Sequence, residues 1–130
     1  MFRLDDKITL VTGAGSGIGE SIAKLFGQSG AFVGVIDRDQ SSAEATSKSI
    51  QESGGKSEAF HLDVCNAKAC NDLAESLQER FGRIDILVNN AGIGHVGTLL
   101  DTEAEDLDRM YDVNVKGIFN MTKAVLLDMV

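Results

Sequence analysis

Gly13, Gly17 and Gly19 stand as Gly-x3-Gly-x-Gly between a short apolar run at residues 7–12 (KITLVT) and a segment with helical periodicity. Glycines in that context let the backbone turn tightly and approach a bound group closely, while the free N–H groups and dipole of the helix start attract a phosphate. This is the outline of a phosphate cradle. An isolated cluster serves equally well as a turn that needs positive φ, so its surroundings decide. Two neighbouring motifs fail letter by letter. The phosphoryl-transfer pattern Gly-x4-Gly-Lys-Ser/Thr has no lysine after these glycines, and Gly55-Lys56-Ser57 has Ile50 where its first glycine belongs. The strict Gly-x-Gly-x-x-Gly spacing fails too, because Gly13 and Gly15 are followed by Ile18, and Gly15 and Gly17 by Glu20.

Other polar residues invite a bland reading beside a chemical one. Asp63 reads as a strand-end residue that caps the following helix, Asn89 and Asn90 as turn formers, and Asn114 as an N-cap. His61 falls in a strand and His95 in a glycine-rich loop, and neither has a second ligand at metal spacing, so no metal site is expected. His95 is either a solvated loop residue or one that faces a substrate. Cys65 and Cys70 are spaced C-x4-C, unlike a redox or zinc pair, and read as packing or surface residues. The acidic run Asp101, Glu103, Glu105, Asp106 and Asp108 complements a helix dipole rather than binding a metal.

The elements that must carry these residues alternate strand and helix, the pattern of an α/β fold with a parallel sheet. Strands are expected at residues 7–12, at 31–36 (AFVGVI, closed by Asp37), within 56–64 and at 84–89 (IDILVN). The helix at 18–29 sets Ile18, Ile22, Leu25 and Phe26 on one side and stops at Gly30. Ser41 and Glu44 have capping-box spacing for a second helix, closed by Gly54-Gly55. In a third, Leu73, Leu77 and Phe81 form one stripe, ended by Gly82. Thr102 and Glu105 repeat the capping-box spacing, and Asn114 opens a last helix that runs to Val130 without a stop signal. That abrupt end predicts a polypeptide truncated inside a helix.

Composition narrows the function classes. The 130 residues hold one domain at most, and 43% hydrophobic with 25% charged residues is ordinary for a globular chain. A formal net charge of -8 excludes nucleic-acid binding through the overall field, which needs clustered Lys and Arg. No run of about 18 apolar residues offers a membrane span. The start, MFRLDDK, does not look like a signal peptide, and a reducing, cytoplasmic compartment is expected.

Five segments in order resemble the short-chain dehydrogenase/reductase family. They are TGAGSGIG at residues 12–19, the acidic Asp37 after the second strand, the Asp63-Val64 pair, Asn89-Asn90-Ala91-Gly92, and Asn114 in VNVKG. The resemblance covers the whole chain and about the first half of the family's single domain. It implies a Rossmann-type doubly wound parallel sheet, truncated after the fourth strand and its following helices, so that residues 1–130 form one NAD(P)-binding domain incomplete at its C-terminus.

The same resemblance assigns roles. Gly13, Ser16, Gly17 and Ile18 would contact ribose and pyrophosphate, and Gly19 would let the helix pack closely. Asp37 would accept both hydroxyls of the adenosine ribose and repel a 2′-phosphate, favouring NAD over NADP, although Arg38 beside it could reach a phosphate. Asp63 would face the adenine amino group, with Val64 against the ring, and Asn90, Ala91 and Gly92 would also contact cofactor. Asn114 would kink its helix and hold a water in a proton relay.

The implied activity is hydride transfer between nicotinamide and a small-molecule alcohol or carbonyl substrate. Family members use a serine and Tyr-x3-Lys for the proton step. Four residues after Tyr111, the sole tyrosine, stands Val115, so Tyr111 reads as a helix packing residue and the chain alone as inactive. The alternative is a non-catalytic dinucleotide-binding or protein-interaction module. The strand at 84–89 would form an exposed sheet edge. Ile118, Phe119, Val125, Leu126 and Met129 offer an apolar helix face through which homo-oligomers could pair.

Overall fold

The computed structural model describes residues 3–93 and 98–129, with side chains placed to Leu126; His95 lies outside the described residues. The apolar runs become strands β1 (Ile8–Thr12), β2 (Phe32–Asp37) and β4 (Ile86–Val88), and the more polar segment KSEAFH becomes β3 (Lys56–His61). All pair in parallel in the order β3-β2-β1-β4, and the chain reverses its direction of travel across the sheet between β1 and β4. β4 forms one edge with a ladder shorter than the apolar run at 84–89, and its residues are half-buried.

Helices cover both faces, as a sheet whose central strands are buried on both sides requires. α1 (Gly17–Gln28) and α2 (Gln40–Glu52) lie over Val11, Val33 and Val35. The other face, Leu10 and Ile36, packs with α3 (Ala67–Phe81) and α5 (Gly117–Met129) through Leu77, Met121 and Val125. α4 (Ala104–Tyr111) joins α5 through a π-helical turn at Asp112–Lys116. Among the described residues no helix is long and apolar enough to cross a membrane.

Four expectations need correction. The inward stripe of α1 is Gly19, Ala23 and Gly27, with Ile22 and Phe26 at its flank, while Ile18 and Leu25 are 74% and 55% exposed. Small residues win that face because the helix lies too close to the sheet and to α2 for longer ones: a Cβ on Gly27 would stand 2.7 Å from Ile50 Cγ2. The caps of α2 and α4 also shift. Asp39, not Ser41, caps α2 by accepting the Ser42 N–H, and that bond holds its carboxyl below the usual carboxylate range. Glu103 and Asp106, not Thr102 and Glu105, form the capping box of α4.

The third correction is Asn114, which sits inside the π-helical turn of a continuous helical run and opens no helix. The fourth concerns the last helix and Tyr111. Val125 turns into the core with Met121 and Ala124, leaving Ile118, Phe119 and Leu126 exposed. Tyr111 is 53% exposed, with Lys116 Nζ 5.7 Å from its ring centre, rather than packed. The stripe on α3 holds as expected: Leu77 is buried, Leu73 and Phe81 pack against the core, and Gly82 closes the helix with φ +79°.

Cys65 is exposed and Cys70 is buried, and both are free. Burial pushes the Cys70 thiol from its ordinary 9.0 up to about 11, with Asp63 adding to the shift. A raised folded value means that the neutral thiol stabilises the fold fully below about pH 9, and that this contribution is lost as pH rises towards 11. Urea unfolding between pH 8 and 11 is therefore expected to show a falling midpoint that Cys70→Ala makes shallower. An equal slope in the variant contradicts the assignment.

Candidate functional site

The site grows from the C-terminal ends of the strands. After β1 the chain passes through Gly13 at φ +64° and Gly17 at φ +58°, a left-handed geometry that glycine adopts without strain. It then enters α1 with Gly19 pressed against it: a Cβ there would stand 2.2 Å from the Gly13 carbonyl oxygen and 2.4 Å from Asn90 Nδ2. Ser16, at the N-cap of α1, makes no side-chain bond to the first turn, so no side chain competes there for the amides of the helix start.

Thr12 and Asn90 tie this turn to the segment after β4. The buried Thr12 hydroxyl accepts the N–H groups of Asn90 and Ala91, both at 3.0 Å, and donates to Val88 O at 3.4 Å. Asn90 Nδ2 in turn donates to Gly13 O at 3.2 Å. Asn89 points elsewhere, donating to Thr122 Oγ1 at 3.0 Å.

Asp37, at the end of β2, closes the opposite side. Its Oδ2 accepts the Gly15 N–H and its Oδ1 the Asp39 N–H, both at 2.8 Å. Each oxygen keeps a lone pair for a further donor. Asp63 is exposed beyond β3 and accepts the Cys65 N–H at 2.9 Å, while Asn66 caps α3 by accepting the Ala69 N–H. Asp63 therefore shapes a turn and leaves the helix cap to Asn66.

A cleft of about 280 Å³ lies among these segments. Of the residues singled out in the sequence, Gly13, Ser16, Asp37, Arg38, Asp63, Val64, Asn90, Ala91 and Gly92 line it. Gly17, Ile18 and Gly19 form the α1 start beside Ser16 without lining the cleft, and Asn114 stands behind it. Asn114 Oδ1 accepts the Ile93 N–H and its Nδ2 donates to Ile93 O, both at 2.8 Å. His61 is exposed at the end of β3, opposite Asp37 in the ladder and outside the cleft lining.

Sequence reasoning missed an apolar wall, a pin between two loops and an anchor on α5. Ile36, Leu62 and Val113 give the cleft an apolar wall, legible only as core residues. The Thr12 hydroxyl is the pin between two loops, a role that strand periodicity hides. Asn120 donates to Val64 O at 2.8 Å, and nothing in its spacing signals a contact 56 residues away. The arrangement offers the α1 start, two carboxylates and an apolar slot side by side, at the point where strand order reverses.

Residues 7–130 match the family model described as short chain dehydrogenase. The chain is 38% identical over 124 residues to the 3-oxoacyl-acyl-carrier-protein reductase of Thermotoga maritima, covering 95% of this chain and 50% of that reductase. It superposes with a TM-score of 0.90 on 7α-hydroxysteroid dehydrogenase complexed with NADH and 7-oxo glycochenodeoxycholic acid, at 37% identity, covering 98% of this chain and 49% of that one. A metagenomic short-chain oxidoreductase in complex with NADP gives 0.91 at 33% identity, covering 97% and 57%. The chain thus spans about half the length of these relatives.

Thr12→Val keeps the shape of the side chain and strands the amides of Asn90 and Ala91 without their acceptor. It is expected to cost about 2–5 kcal/mol in urea unfolding, against about 1 kcal/mol for Thr9→Val, whose hydroxyl makes one bond to Phe32 O. Equal losses contradict the pinning role.

Proposed function

This chain belongs to the short chain dehydrogenase family, and on that premise we propose that it is the cofactor-binding part of an NAD-dependent oxidoreductase. The observation that carries the reading is the meeting of the α1 start, Asp37, Val64 and Asn90–Gly92 at one cleft. These residues fit an adenine dinucleotide. The amides at the α1 start favour a pyrophosphate. The free lone pairs of Asp37 match the two hydroxyls of an adenosine ribose. Val64, Leu62 and Ile36 give a flat ring an apolar seat.

Charge makes the choice between cofactors. A 2′-phosphate would stand against the Asp37 carboxylate, and Arg38 at the rim is exposed and screened by water, so its attraction offsets that repulsion only in part. NAD is the favoured cofactor. The dinucleotide, when bound, supplies a hydride exchanged with a small-molecule alcohol or carbonyl.

Asn114 contributes by fixing Ile93, and the second lone pair of its Oδ1 remains for a relay water. No Tyr-x3-Lys stands in these 130 residues, and the exposed Tyr111 is no substitute for a positioned acid. The chain alone is read as binding cofactor without turning over substrate, and the exposed Ile118, Phe119 and Leu126 as the face through which copies would pair.

Titration with NADH and NADPH, followed by nicotinamide fluorescence, tests the reading. NADH is expected to saturate at least about tenfold more tightly than NADPH, and Asp37→Asn to weaken NADH by about tenfold without weakening NADPH. Absence of a saturable NADH response, or equal loss of both cofactors in the variant, contradicts it.

A further inference from the structure

Val64 forms part of the cleft wall, yet it is held from behind. Its carbonyl oxygen accepts the Asn120 Nδ2 donor at 2.8 Å and the Cys70 thiol at 3.7 Å. Gly117, three residues before Asn120, makes room for the Val64 side chain, since a Cβ there would stand 2.6 Å from Val64 Cγ2. One face of α5 therefore receives the side chain and fixes the main chain of the same residue. The turn is closed on its other side by Asp63, whose carboxylate takes the Cys65 N–H and whose carbonyl takes the Asn66 N–H, both at 2.9 Å.

We propose that Asn120 is a positioning residue for ligand binding, setting through Val64 the wall against which the adenine ring lies. The proposal rests on the reading of the cleft as a dinucleotide site. Asn120 lies outside the cleft lining and acts through Val64 alone. It follows the π-helical turn in which Asn114 holds Ile93, so a single helical run anchors the cleft at two places, Ile93 and Val64. A wall fixed before the ligand arrives spares the ordering cost that binding otherwise carries.

Adenosine monophosphate, which carries the adenine half alone, is the probe. Calorimetric titration of the purified protein with it is expected to show a Kd about tenfold higher in Asn120→Leu, which keeps the volume and removes the donor. Asn120→Gln, which retains an amide, should recover most of the loss. Ser47→Ala removes a part-buried hydrogen bond to Ser57 on the opposite face of the sheet and controls for general loosening, with a Kd within about twofold of wild type. Should Asn120→Leu fail to fold, Asn120→Asp removes the donor at unchanged size.

Wild-type affinity in folded Asn120→Leu or Asn120→Asp overturns the proposal, as does an equal loss in Ser47→Ala. A wild-type protein that binds no adenosine monophosphate overturns the dinucleotide reading and this inference together. Binding by wild type with no effect at Asn120 overturns the inference alone.

Discussion

The space where a Cβ of Gly19 would sit is already filled, by the Gly13 carbonyl and the Asn90 amide. Everything at the site follows from that contact. α1 can begin directly under the glycine turn only because its first turn carries no side chain on that face. The turn in turn meets the segment after β4 only because Asn90 can donate into the Gly13 carbonyl that α1 presses upon. Thr12 completes the knot by giving one hydroxyl to three main-chain groups, one at the end of β4 and two in the segment after it. A side chain at position 19 would drive these pieces apart and move the α1 start away from the segment after β4.

The two faces of the sheet then divide the work. On the side of α1 and α2, Asp37 reaches back to the Gly15 amide and forward to the Asp39 amide, so the carboxylate that would read a ribose also fixes the shape of the turn beside it. On the side of α3 and α5, amide side chains of the helical run hold the other walls from outside, Asn114 at Ile93 and Asn120 at Val64. On the proposed reading, recognition and support are carried partly by the same atoms. Replacing Asp37 changes a charge and removes an acceptor from the Gly15 or Asp39 amide at once.

The parts of this design legible in the sequence are those in which backbone geometry permits a single residue type. Gly13, Gly17 and Gly19 announce themselves because nothing else fits, and the alternation of strand and helix follows from alternating runs of apolar and amphipathic residues. The inward face of α1 was hidden for the opposite reason: tight packing selects Gly19, Ala23 and Gly27, which carry little hydrophobic signal, while the larger Ile18 and Leu25 face outward. Caps shifted by two positions in α2 and one in α4, because Asp39 and Glu103 offer charged acceptors next to the hydroxyls that spacing favoured. Asn114 and Asn120 were illegible as anchors because their partners, Ile93 and Val64, lie far away in the chain and are met through main-chain atoms that no sequence pattern marks.

Amide chemical-shift mapping of the ¹⁵N-labelled protein during addition of NADH tests most directly whether the strand-end cleft is the binding site. Shifts are expected to concentrate at residues 13–19, 37–38, 62–64 and 90–93, with the opposite strand ends at Ile8, Phe32 and Lys56 unmoved. Shifts gathered at those opposite ends, or spread over the exposed face of α5, would contradict it.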